Sequence, residues 1–587
     1  MEKKMLRQTF ISLVGIFAVL LPFLATAAVD LPPSITIDPG KGEPPCKFNL
    51  PKWRDAQVIE GVQIQESRRC LPDNPDLIAA VVKGTNNISM ETLMETHLSV
   101  DTVIKKDDLD GDGDPDVIII KLEVFELNGH SPDFAGLSTT YDIAPGVQPA
   151  MWVFAPKTRG MSTQSFISNE ANTTLRAPSP VIRVEQGDIV WLQLENSHYF
   201  PHTIHLHGVD HQFVDSSGEG NDGIPQTSEK PVFPGQSRTY EIKPRQPGSF
   251  IYHCHVQPHV HISMGLVGMF VVEENKPNNW VQTFNVGAGQ VRHPSKGVLA
   301  DYDSEYDLHY HAMDKELGDI VKDFNDPRLI ARKMNREYDV QDSTEDYHVL
   351  NGRSFPYTMR ESLVVVEPNQ NIKLRMLNSS GEMVAIHTHG HKGTITHYDG
   401  VEHNPIAQIT RDVYDMAPVQ RNDISINTTD DGFHSYGEGI WIFHDHREKG
   451  ITTDGMNPGG DVSALVYKSY LNENGMPKVQ GSDITPFFTQ AFHSRQLPVW
   501  QDMDEWNSLG EPEEVEDLGD AFVVPPPKDK NKKTVAATLI ATTDATPVVN
   551  FMKGLGAALV VFLLYAFRGK LAGVLSLFGK KGGRKDA

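Results

Sequence analysis

Cysteine is scarce in this sequence, three in 587 residues. That leaves room for at most one disulfide, between Cys46 and Cys70, with Cys254 standing apart. Positive charge is also short: 53 Lys and Arg against 77 Asp and Glu, for a net charge of −24. The imbalance argues against nucleic acid and other anionic polymers as partners. It leaves cationic substrates, metal ions or a basic redox protein, beside plain solubility. Helical periodicity is scarce too. Short alternating runs recur instead, as in residues 181–196 (VIRVEQGDIVWLQLEN) and 362–378 (SLVVVEPNQNIKLRMLN), and these predict an all-β chain. A hydrophobic content of 39% with 22% charged residues marks the bulk as globular, and the length suffices for several domains.

The two ends read as membrane signals. Residues 1–28 carry Lys3, Lys4 and Arg7, an apolar run over 10–24 and the small residues Ala25, Thr26 and Ala27, the pattern of a signal peptide. Residues 548–567 are apolar and long enough to span a bilayer as a helix. Lys553 can snorkel at the outer edge, and a basic tail follows over 568–587, with Arg568, Lys570, Lys580, Lys581, Arg584 and Lys585. The expectation is an exported body on the periplasmic or extracellular side, held by a C-terminal anchor. Residues 471–547, with an acidic stretch and VVPPPKDKNKKT, read as a stalk. Residues 29–116 form an N-terminal extension ending in DLDGDGDPD. There Asp108, Asp110, Asp112, Asp114 and Asp116 alternate with other residues as in a calcium loop. Position twelve is Ile119 rather than the bidentate Glu of an EF-hand, so a solvated acidic turn is the alternative.

Between these flanks the sequence repeats. The first unit covers 117–275 and the second 300–470, with a linker over 276–299. The first holds HTIHLHG, from His202 to Gly208, and the second VAIHTHG, from Val384 to Gly390. Further on, the first holds FIYHCH, ending His253-Cys254-His255, and the second WIFHDH, ending His444-Asp445-His446. The frames match residue for residue, and differ where Val384 and Asp445 stand in place of His202 and Cys254. Strand residues i and i+2 share a face, so each His-x-His pair sets two imidazoles together. Eight result: His205, His207, His253, His255, His387, His389, His444 and His446. A blue-copper site needs two imidazoles, a thiolate and a weak axial ligand. The first unit offers His202, Cys254, His259 and Met264; the second has no thiol. Cys254 lies between two of the paired histidines and faces the other way.

HTIHLHG with HCHVQPHVHISMG, and HTHG with IWIFHDH, together resemble the four copper signatures of the multicopper oxidases. The chain resembles the two-domain, small-laccase-type members, with the blue copper in the first domain. The resemblance implies two cupredoxin β-sandwiches and about four coppers per chain at full occupancy. It implies type 1 copper on His202, Cys254, His259 and Met264, and type 2 copper on His205 and His387. The paired type 3 coppers would fall to His207, His253, His255, His389, His444 and His446. It also implies four-electron reduction of dioxygen to water, and a homotrimer whose clusters form between the first domain of one subunit and the second domain of a neighbour. The electron donor is open: a metal ion, a phenol or a redox protein. Asp210, just after HLHG, is a candidate proton relay; its alternative is a turn cap. Two rival functions are a copper-containing nitrite reductase, which needs only three cluster-side histidines, and a non-catalytic copper-binding or electron-transfer protein, which needs no cluster.

Overall fold

The computed structural model describes residues 101–130, 137–158, 175–291 and 302–495, apart from breaks at 278, 280, 473–474 and 479–483. It also describes Ser99 and the strand pair Gln57–Ile59 and Val62–Ile64. The expected signal peptide, Cys46, Cys70, most of the stalk and the C-terminal apolar span lie outside the described residues. Among those described, no helix is long and apolar enough to cross a membrane.

Two β-sandwiches account for the body. In the first, one sheet runs in the order His205–His207, Gly248–His253, Val267–Glu273, Val181–Glu185 and Phe284–Asn285. The facing sheet runs Ser237–Ile242, Ile189–Glu195, Val117–Leu127 and Val103–Lys106, with Met151–Pro156 paired to Val117–Leu127. Each strand turns alternate apolar side chains inward, and Ile118, Ile120, Leu122, Val190, Leu192, Phe250, Phe270 and Trp152 fill the space between. The sandwich takes in Val103–Lys106 from the segment read as an extension and Phe284–Asn285 from the segment read as a linker.

The second sandwich repeats the plan. Its smaller sheet is ordered Val364–Val366, Ser463–Tyr467, Ile440–Asp445, Val384–Thr388 and Val413–Met416. The facing sheet is built on Ser304–Met313, Asn371–Asn378 and Arg421–Asn427. Between Ser304–Met313 and Tyr347–Leu350 the chain makes helical turns over Lys315–Asp323, Pro327–Arg332 and Lys333–Glu337. Their inward residues Leu317, Ile320, Val321, Ile330 and Met334 join the core of the first sandwich.

Buried ion pairs lock the two sandwiches together. Arg183 of the first grips Asp307 of the second through two bonds, at 2.7 and 2.5 Å. Arg375 of the second donates to Ser249 of the first at 3.0 Å and to Asp423 at 2.9 Å, and Ser249 in turn donates to Asp423 at 2.6 Å. These groups are desolvated, so each charge needs its partner. The network fixes how the two histidine-bearing faces are carried relative to each other within one chain.

Candidate metal centre

In the first sandwich His205–His207 pairs antiparallel with Gly248–His253, which sets His205 opposite His253. His207 shares the face of His205 by the strand period, and His255 lies just past the end of the partner strand. The ring centroids of His205 lie 5.2 Å from His207, 5.5 Å from His253 and 5.2 Å from His255. The Nε2 atoms of His207 and His253 are 3.0 Å apart. The second sandwich repeats this with His387 opposite His444. There His387 lies 4.8 Å from His389 and 5.6 Å from His446, and His389 lies 5.6 Å from His444. The glycines that end both His-x-His-Gly turns are forced. Gly208 and Gly390 have φ of +81° and +63°, and a Cβ would meet the Phe250 ring at 2.6 Å or the Trp441 ring at 2.2 Å.

Burial, then neighbouring imidazoles, holds His207 down to about 4; burial holds His253 down to about 3, with nearby imidazoles again adding to it. Both are therefore neutral near pH 7 and keep a lone pair for a metal. The Nδ1 of His255 is buried without a hydrogen-bond partner. Each sandwich thus presents one quartet of imidazoles. Among the described residues, no ring of one quartet touches a ring of the other. The second quartet is open to solvent: the His446 side chain is 57% exposed.

Behind the first quartet, Cys254 is fully buried in the sandwich core. Its Sγ lies 3.6 Å from His202 Nδ1 and 3.2 Å from His261 Nδ1, and these three ligand atoms cluster as a metal site would require. Met264 is buried in the same apolar cluster. Burial pushes the thiol up to about 12 and holds His261 down to about 3; it also holds His202 well below the usual histidine range. Two neutral imidazoles and a thiol that a metal would deprotonate fit a blue-copper donor set.

The third ligand position is a correction. The five-residue spacing from the cysteine predicts His259, but His259 is exposed. Gln257 adopts a left-handed conformation, φ 48°, and Pro258–His261 then makes a helical turn. That turn carries His259 outward and brings Val260 and His261 inward. The second sandwich has no such triad. Asp445 stands at the cysteine position, accepting from the backbone N–H of Ala385 at 3.0 Å and from Arg447 Nε at 2.7 Å, and Val384 is buried in the apolar core.

Asp210 is a second correction. Its carboxylate is held by Arg245 at 2.7 and 2.8 Å on the surface. The acid beside the cluster-side histidines is Asp222, whose carboxylate is 3.6 Å from His205 Nδ1. Its backbone carbonyl accepts from that nitrogen at 2.6 Å. In the acidic loop, Asp108, Asp110 and Asp116 draw together. Asp114 instead accepts from the Asn279 backbone at 2.7 Å, and one oxygen of Asp112 is buried without a partner. Sequence reasoning assigns no ligand or supporting role to His261, His198, Glu126 or Asp222. The second histidine of the HVH doublet was the available signal for His261.

A thiol–imidazole–imidazole triad on a β-sandwich, backed by four more imidazoles, is a donor set that fits copper. Residues 149–276, within the first unit, match the sequence model of a family described as multicopper oxidase. Copper resistance protein A of Pseudomonas syringae pv. tomato is 22% identical over 283 residues, 45% of this chain and 43% of that protein. A copper-containing nitrite reductase of Neisseria meningitidis serogroup A is 37% identical over 97 residues, 16% of this chain and 23% of that protein. The chain therefore spans less than half the length of these curated relatives. The crystal structure of a blue copper oxidase from Nitrosomonas europaea is similar over 63% of this chain and 92% of that one, at 22% identity and a TM-score of 0.43.

Proposed function

We propose that this protein is a two-domain multicopper oxidase. A type 1 copper would be held by His202, Cys254, His261 and Met264. A trinuclear cluster would be held by His205, His207, His253 and His255 of one chain with His387, His389, His444 and His446 of another. Bound there, copper supplies one-electron oxidation of a donor and four-electron reduction of dioxygen to water. The observation that carries this reading is the division of eight imidazoles into two separate quartets, only one of which has a buried cysteine between its histidines.

The chain's own residues supply the rest. Cys254 is flanked in sequence by His253 and His255, so a few covalent bonds join the thiol to the first quartet. The second quartet is exposed on a face that also bears Ile442, 39% exposed, and Met383, 53% exposed. A surface of metal-ready imidazoles amid apolar side chains suits cover by a second copy, and a closed ring of three would give three clusters. The geometry of Asp222 favours it over Asp210 as the group that moves protons near His205. The sequence supports export, a C-terminal membrane anchor, and calcium in the 108–116 loop.

A second reading, nitrite reduction, has the nitrite reductase relative in its favour. It would leave five of the eight imidazoles without a role. Oxygen uptake by the copper-loaded protein across a panel of phenols, Cu(I), Fe(II) and Mn(II), with nitrite as alternative acceptor, decides between them. Consumption of nitrite without oxygen would reject the oxidase. Cys254→Ser should bleach the blue band and keep cluster copper; loss of all copper would reject the division of ligands.

A further inference from the structure

The imidazole of His202 does not end at the copper site. Its Nδ1 faces Cys254, so a metal there leaves the proton on Nε2. That nitrogen lies 2.9 Å from Nδ1 of the buried His198. The backbone N–H of Phe200 also points at His198 Nδ1, at 3.3 Å. Two donors on one nitrogen make His198 Nδ1 an acceptor and place its own proton on Nε2. That Nε2 is buried without a hydrogen-bond partner and faces Glu126 Oε2 at 3.6 Å.

Glu126 is itself held from two sides. Trp152 Nε1 donates to the same oxygen at 2.9 Å, and the Tyr199 hydroxyl donates to it as well. The Trp152 ring stands edge-on to His198, His202 and His261, with centroids at 5.0, 6.3 and 5.2 Å. The Tyr199 ring packs against His198, tilted by 33° with centroids 4.0 Å apart. The arrangement is His202, then His198, then a carboxylate, packed by two aromatic rings.

We propose that His198 and Glu126 are positioning residues that orient His202 toward Cys254 and lower the reduction potential of the copper bound there. The inference rests on the type 1 reading above. A carboxylate at the far end of a hydrogen-bonded imidazole pair makes His202 a more strongly donating ligand and favours the more positive copper(II) state. The site is thereby matched to more reducing one-electron donors, each of which gives up one electron as copper(II) becomes copper(I).

The test is the midpoint potential of the blue band, with its electron paramagnetic resonance spectrum, in the full-length copper-loaded protein. Glu126→Gln keeps size and removes charge, and should shift the potential upward and alter the copper hyperfine coupling. Tyr199→Phe strips a hydrogen bond from the carboxylate, concentrates its charge on His198, and should shift the potential downward. Opposite shifts support the relay, because mere loosening of the site would move both variants the same way. Equal potentials in parent and Glu126→Gln, or shifts of one sign in both variants, overturn it. If Glu126→Gln fails to fold, an unshifted or raised potential in Tyr199→Phe overturns it. A parent protein that loads copper without a blue band overturns the type 1 reading itself.

Discussion

Glu361 should be a strong determinant of how the two sandwiches hold together. It is buried and accepts from Arg176 of the first sandwich at 3.2 Å, and from Arg353 and Arg360 of the second at 3.0 and 2.6 Å. Burial alone would raise its carboxyl, but the charges of Arg353, Arg360 and Arg176 outweigh burial and hold it down from 4.5 to about 2. That displacement corresponds to about 3 kcal/mol of folding stability at neutral pH. Because the folded value is depressed, the contribution is complete above the unfolded value of 4.5 and fades as pH falls toward about 2. Glu361→Gln would also leave buried guanidinium groups uncompensated, a cost of about 3–5 kcal/mol. Urea unfolding of parent and variant across pH 2 to 6 measures both quantities. The stability difference should be large and flat above about pH 4.5 and shrink by about 3 kcal/mol toward pH 2. A difference that does not vary with pH, or one below about 1 kcal/mol at pH 6, would refute the reasoning.

Two further outcomes follow from the same geometry. His261→Ala should abolish the blue absorption, whereas His259→Ala should leave it intact. The reverse pattern in visible spectra of copper-loaded protein would restore the sequence-based assignment. Calcium at about 100 times its dissociation constant should add about 3 kcal/mol of stability if the 108–116 loop binds it. Scanning calorimetry should register that gain in the parent and its loss in Asp110→Asn, and an unchanged parent melting temperature would reject the site.

Much of the fold and of the pairing of histidines in the candidate site was legible because it depends on local rules. Alternating apolar residues define strands, and the i, i+2 spacing of His205 with His207 and of His387 with His389 sets paired imidazoles on one face. Substitution of Asp445 for Cys254 in matched frames restricted the thiol site to one sandwich, and the Asp445–Arg447 pair now occupies the second. What failed depended on where the chain turns. The spacing of His259 from Cys254 says nothing of the left-handed Gln257 that rotates His261 inward. Asp210 is close to His207 in sequence, yet its side chain turns to Arg245, while Asp222 returns to His205 through a loop. Glu126 comes from a different strand and has no sequence signature linking it to His202; only the packed sandwich brings them to opposite ends of His198.

On the proposed function, the oxygen-reducing cluster takes its ligands from the first sandwich of one copy and the second sandwich of another. Subunit mixing tests it directly. His207→Ala and His389→Ala variants should each be inactive alone, since each spoils one half of every cluster. Dissociated, mixed in equal amounts and reassembled, they should regain about a quarter of parental oxygen uptake, because random assortment pairs an intact first sandwich with an intact second one in about one junction of four. No recovery from mixtures shown to contain both variants in one oligomer would contradict the claim.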